Sequence, residues 1–205
     1  TALATGQSSP GRLRAAGDYV YWIARGTGAA DGALRRVAVE GGAVEDVVAD
    51  LSAPEGLALS DERAYFAERG ARRVGHVPLA GGAATWIDDA DGVPFDVAVD
   101  VVAAQVFWSS PGNLGGGWIH RTDLDLASDA RVSFSPPGPT WLWLGAADVV
   151  SEPADAGDVR VRQFAAGHNA FDLRDRHRLA NVTPADRQGI AVERVAQRTQ
   201  AVRPV

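Results

Sequence analysis

The chain has 205 residues, of which 46% are hydrophobic, and a formal net charge of −6. That length and apolar content suit one folded domain with a sizeable core and exclude a disordered chain. The acidic balance argues against a nucleic-acid partner, and the lack of any cysteine excludes disulfides, thiolate metal sites and cysteine nucleophiles.

Leu3 to Pro10 aligns with Val47 to Pro54 and reads as an outer strand with its exit loop. Pro10 opens an inner strand, where Leu13 and Ala15 share one face at the period of a β-strand. Val20-Tyr21-Trp22 follows as a second strand, because aromatic and β-branched residues fit a pleated, half-buried surface. Leu34 to Val39 is a third, closed by the turn signal Gly41-Gly42, and Val44 to Ala49 is a fourth. The set then starts again. Pro54 leads to Leu57 and Leu59, then to Ala64-Tyr65-Phe66, to Val74 to Leu79 with Gly81-Gly82, and to Ala84 to Asp88. In the third copy Pro94 leads to Val97 and Val99, to Val106-Phe107-Trp108, to Ile119 to Leu124, and to Arg131 to Phe134. In the fourth, Pro139 leads to Leu142 and Leu144, to Val149-Val150-Ser151, to Val159 to Phe164, and loosely to Ala170 to Leu173. A fifth inner strand, Gly189 to Val195, has lost the proline but keeps Ile190 and Val192, and Gln200 to Val205 reads as a second strand after it.

The prolines are 44, 40 and 45 residues apart. Four strands and four turns in about 40 to 45 residues are the signature of a β-propeller blade. The chain therefore reads as all-β, a propeller of four-stranded antiparallel blades with about four to five visible and the ring not necessarily complete. A β-sandwich is the alternative, since short strands at regular spacing also build one. The blades occupy 1–173. Residues 174–205 form an Arg-rich segment, a partial or irregular last blade, with seven arginines against Asp175, Asp186 and Glu193, a net of +4 that leaves −10 on the rest.

All 20 basic residues are arginine, which points to a GC-rich bacterial genome, and the lack of methionine leads us to expect a processed form or a fragment. An unclosed ring leaves pairing edges bare. The chain alone is thus expected to be marginal, self-associating, or closed by a segment within 174–205. No apolar run is long enough for a transmembrane helix.

The unit Pro54-Glu55-Gly56-Leu57-Ala58-Leu59, Tyr65-Phe66, then Val74 to Gly82 resembles the NHL-like and YWTD-like propeller repeats of bacterial secreted or lipoprotein type, over about residues 1–170. The resemblance implies a periplasmic, cell-surface or secreted protein. Tyr21-Trp22 continues with Ile23-Ala24 where the YWTD form has Thr and Asp. Pro54-Glu55-Gly56-Leu57-Ala58 also resembles a segment of the gluconolactonase family, which implies a metal-ligand role for Glu55.

Propellers bind at the axial mouth, where loops of successive blades converge. Glu55 and Asp96 stand at the start of adjacent inner strands and Asn113 lies in a connecting loop, so their oxygens could hold calcium or magnesium. Asp88-Asp89-Ala90-Asp91-Gly92 lacks the EF-hand spacing and reads as an acidic turn. His76 and His120 take neighbouring positions on third strands, with no motif that makes them bases. Trp141 and Trp143 alternate with Leu142 and Leu144, so the two sets face opposite ways. The tryptophans either pack against a neighbouring blade or stack on a sugar or other flat ligand in the channel. The function expected is a non-catalytic binding scaffold for a protein, small-molecule or carbohydrate ligand. The alternative is a metal-dependent lactonase or lyase.

Overall fold

A computed structural model describes residues 2–89, 92–111, 117–135, 139–144, 148–153 and 159–162, with side chains described through Val132 and at Leu142. The chain divides into two units, Thr1–Phe171 and Asp172–Val205, and every described residue belongs to the first. The fifth inner strand expected around Ile190 and Val192, the fourth outer strand expected at Ala170 to Leu173, and Asn113 lie outside the described residues.

Each expected copy is a separate antiparallel meander. The first sheet is β1 (Pro10–Ala16), β2 (Tyr19–Ala24), β3 (Gly32–Ala38) and β4 (Glu45–Leu51), paired in that order. The second is β5 (Pro54–Leu59), β6 (Arg63–Glu68), β7 (Arg73–Pro78) and β8 (Thr85–Asp88). The third is β9 (Asp96–Asp100), β10 (Gln105–Ser110), β11 (Gly117–Asp123) and β12 (Ala130–Ser135), and a three-stranded fourth holds β13 (Pro139–Leu144), β14 (Asp148–Pro153) and β15 (Val159–Arg162). Pro10, Pro54 and Pro139 are the first residues of their strands, where the missing N–H costs least. The Gly-Gly turns repeat in detail: Gly41 and Gly42 have φ of 90° and 134°, and Gly81 and Gly82 have 92° and 132°.

Inner strand touches inner strand in the order β1, β5, β9, β13, which sets the sheets as blades around an axis. Apolar side chains fill the spaces between blades. Tyr21, Ile23 and Leu34 of the first blade pack on Leu57, Phe66 and Val77 of the second. Ala58, Tyr65 and Val74 of the second pack on Val97, Val106 and Trp108 of the third. Ala98, Phe107 and Ile119 of the third meet Leu142 of the fourth. Neighbouring aromatics on a second strand thus serve opposite interfaces, and each large side chain fully buried there stabilises the fold by about 1.5–3 kcal/mol.

Two expectations fail at the first blade. Residues 2–9 form no strand. Gly6 at φ 66° and Ser9 at φ 45° turn the backbone out of the extended region. Instead Ala4 packs on Trp22, Ala24, Ala33 and Val37. Leu13 was expected on a buried face but is 58% exposed, whereas its counterpart Leu57 is at 0%. Leu57, Val97 and Leu142 are each covered by the blade before theirs, and among the described residues no sheet precedes the first.

Candidate functional site

The starts of the inner strands and the ends of the second strands meet at one end of the blades. Equivalent positions follow from the pairing: Leu13 faces Trp22, Leu57 faces Phe66, Val97 faces Trp108 and Leu142 faces Ser151. One residue before each stand Arg12, Gly56, Asp96 and Trp141. Gly56 has no side chain, and a Cβ there would lie 2.7 Å from both the Asp96 Cα and the Val97 nitrogen. The second and third blades therefore touch backbone to backbone, and Arg12 of the first blade reaches past the second to the third.

Arg12 Nη2 lies 2.5 Å from Asp96 Oδ2, with the Asp96 side chain 1% exposed. The same oxygen accepts the Leu142 amide N–H at 3.0 Å, and the Asp96 amide donates to Ser109 Oγ at 3.1 Å. Asp96 Oδ1 makes no hydrogen bond among the described residues. Burial pushes the Asp96 carboxyl above its ordinary value, and the Leu142 amide and the Arg12 charge offset part of that rise.

Glu55, the second residue of β5, is held in the same manner. Its Oε2 accepts Arg25 Nε at 2.8 Å and lies 2.8 Å from Arg25 Nη2, while Oε1 is 3.5 Å from Arg69 Nη1. Arg25 follows β2, and its guanidinium lies over Gly11. Arg69 follows β6 and stands 5.2 Å from the Phe95 ring centre. Close by, the buried Glu68 accepts the Ser52 amide at 2.7 Å and Arg73 Nε at 2.6 Å. A guanidinium fork directed at a carboxylate is among the stronger charge-assisted pairings.

Arg14 lies two residues beyond Arg12 on the same face of β1. Its only side-chain hydrogen bond among the described residues goes to the Leu13 carbonyl, at 2.9 Å. Partial burial lowers its pKa, the Arg12 charge lowers it further, and Asp96 compensates in part.

The structure thus brings Glu55 and Asp96 to the same end of adjacent blades, each paired with arginine. Asn113 lies outside the described residues. Trp141 and Trp143 fall within β13, at the register positions of Arg12 and Arg14, and their side chains lie outside what is described. Among the described residues, no three His, Asp or Glu side chains converge as a metal cage.

The acidic turn at residues 88–92 holds more than the sequence reading expected. Asp89 is buried and accepts the Ser110 hydroxyl and the Gly92 amide, the latter at 3.1 Å. Asp89 Oδ1 is 3.8 Å from His120 Nε2, and His120 Nδ1 is 2.9 Å from Asp129 Oδ1. The His120 ring stacks on Trp108 at 4.7 Å. Ser110 and His120 are fully buried, so this network bolts the second blade to the third. Alternation shows His120 on a strand, but nothing local marks Asp89 as its neighbour. A cleft of about 470 Å³ lies at the opposite end, between the first two blades, with Tyr19, Tyr21 and Leu79 in its wall. Its carboxylates, Asp18 and Asp61, are exposed turn residues.

The sequence matches no protein-family model and no curated protein sequence. Solved structures do match. A chain of a nidogen/laminin complex is 19% identical with a TM-score of 0.62, the match covering 72% of this chain and 58% of that one. The computationally designed Ika4 protein is 16% identical with a TM-score of 0.64, covering 78% of this chain and 95% of that one. Regucalcin from Agrobacterium tumefaciens, described as a calcium-binding protein, is 22% identical with a TM-score of 0.53, covering 69% of this chain and 52% of that one. The chain spans less than two thirds of the nidogen/laminin and regucalcin chains. At these identities the likeness is one of fold, and with the four meanders around an axis it gives the architecture as a β-propeller.

Proposed function

We propose that this chain is a non-catalytic binding scaffold that takes its ligand at the axial mouth. The observation that carries this reading is the state of the mouth carboxylates. Both oxygens of Glu55 face arginine nitrogens, and Asp96 Oδ2 is taken by Arg12 and the Leu142 amide. A carboxylate locked to guanidinium is a poor general base, since it must reach and accept a substrate proton. It is also a poor hard-cation ligand, since its lone pairs are already engaged. The NHL-like resemblance supports an exported bacterial protein, at the cell surface or in the periplasm, which fractionation of the source cells checks.

One observation favours the rival, a metal-dependent lactonase or lyase: Asp96 Oδ1 is buried and, among the described residues, without a hydrogen bond. The fold likeness to regucalcin, a calcium-binding protein by description, points the same way. Thermal unfolding of the metal-stripped chain with calcium, magnesium, manganese or zinc separates the two. A cation at a hundredfold excess over its Kd adds about 2.7 kcal/mol of stability. The scaffold reading expects no rise and no hydrolysis of lactones. A rise abolished by Asp96→Ala, or turnover lost in Glu55→Gln, overturns it.

A further inference from the structure

We propose that Arg14, flanked by Arg12, Arg25 and Arg69, makes the axial mouth a receptor for a small acid carrying two carboxylates or a phosphoryl group. The inference rests on the binding-scaffold reading and specifies its ligand.

The first argument is charge. Four guanidiniums, from Arg12, Arg14, Arg25 and Arg69, gather around two carboxylates, Glu55 and Asp96, in a chain whose net charge is −6. The positive excess is local, set in an acidic body. A surface with a net positive excess concentrates anions.

The second argument is Arg14 itself. Burying part of a cation is costly without a compensating anion. Arg12 and Arg25 have such partners in Asp96 and Glu55. Arg14 has one hydrogen bond, to the carbonyl of its own neighbour, among the described residues; Arg12 works against it, and the Asp96 charge, already paired with Arg12, compensates only in part. A stabilising fold would place a neutral side chain there. An arginine whose guanidinium spends one bond on a neutral carbonyl and none on a carboxylate, among the described residues, is what a carboxylate or phosphoryl ligand needs.

The third argument is room. The positions on β5 and β9 that correspond to Arg14 are Ala58 and Ala98, and Gly56 precedes the first of these. On these two blades the side chain at the Arg14 position is therefore small, whereas on β13 it is Trp143. Arg25 and Arg69 have side chains 39% and 41% exposed. Each guanidinium has five N–H donors, and Glu55 occupies two of Arg25 and one of Arg69. Glu55 therefore orients the two arginines and leaves donors for a ligand. Two separate cationic positions, Arg14 within β1 and the Arg25–Arg69 pair on Glu55, suit an acid with charge at both ends or a phosphoryl group that spans them.

The test is isothermal titration of the full chain with succinate and, separately, with inorganic phosphate at low ionic strength. Wild type, Arg14→Gln and Arg36→Gln are compared. Arg36 serves as the control because it pairs with Glu45 and the Leu79 carbonyl, away from the mouth. We expect at least one probe to bind and Arg14→Gln to weaken it about tenfold or more, that is about 1.4 kcal/mol, with Arg36→Gln unchanged. Succinate alone identifies a dicarboxylate ligand, and phosphate alone a phosphoryl group. Arg14→Gln should melt no lower than wild type, which separates lost binding from lost folding. Two results overturn the assignment: no heat from either probe at about 10 mM, or equal affinity in wild type and Arg14→Gln. Either would leave the scaffold reading standing, whereas lactone turnover lost in Glu55→Gln would defeat that reading on its own.

Discussion

Replacing Gly56 with alanine tests the closest approach in the molecule between two blades. A Cβ at residue 56 would sit 2.7 Å from the Asp96 Cα and the Val97 nitrogen and 3.0 Å from the Asp96 carbonyl carbon. Ordinary contacts begin at 3.4 Å, so the backbones must part by about 0.7 Å. Both obstacles are main chain and cannot swing aside. Overpacking of this kind costs about 1–3 kcal/mol. Alanine also stiffens the unfolded chain, which returns about 0.4–1 kcal/mol. The net loss is then about 0–2.6 kcal/mol, and at 2–4 °C per kcal/mol for a chain of this size Tm should fall by up to about 10 °C. The shift would carry Asp96 away from Arg12, which moves the result towards the upper end. Differential scanning calorimetry measures it. A Tm unchanged or raised would refute the direct backbone contact and, with it, the passage of Arg12 across the second blade.

Glu68→Gln should lower stability by about 1–3 kcal/mol in urea unfolding. Whichever way the amide turns, its NH2 faces a donor, either the Ser52 amide or Arg73 Nε. His76 supplies a pH dependence. Burial lowers its pKa, the nearby Arg63 charge lowers it further, and Asp125 offsets part of the shift. A histidine with a depressed folded-state pKa contributes stability above its unfolded value of 6.5, which is lost as pH falls through the folded value. Wild type should therefore lose stability relative to His76→Gln as pH falls from about 6.5 to the lower folded-state value, by at most about 1.4 kcal/mol per pH unit, and the difference should level off below it. Parallel curves for the two proteins would refute this.

The blades were legible because each strand is a local pattern. Leu57 and Leu59, or Val97 and Val99, mark a face by alternation alone, and Gly41-Gly42 and Gly81-Gly82 mark turns by their backbone freedom. The first blade departs because burial at Leu13 depends on a neighbour that no local pattern can supply. The N-terminal alignment with β4 failed for a related reason. Strand propensity at residues 3–9 is not realised where Gly6 and Ser9 adopt positive φ. The mouth was half legible. Position after a proline placed Glu55 and Asp96 at the starts of their strands. Their arginine partners come from distant segments, 84 residues away for Arg12 and 30 for Arg25. Arg12, Arg14, Arg25 and Arg69 carry no spacing that distinguishes them from sixteen other arginines. Asp89 was hidden in the same way, since a run of acids before a glycine looks like a solvated turn until Ser110 and His120 are brought over it.

The tie at Asp96 also fixes an order of events. Its carboxylate is bound by Arg12, 84 residues earlier, and by the Leu142 amide, 46 residues later. Contacts so distant in sequence form late, since the chain between them must be ordered before they contribute. During synthesis Arg12 and Asp96 emerge well before Leu142, so the first three blades can assemble with one acceptor of Asp96 still waiting. The fourth inner strand then arrives by donating a single main-chain proton to that oxygen. The amide of Leu142 is accordingly a clock for assembly, and its protection from hydrogen exchange marks the moment the fourth blade docks.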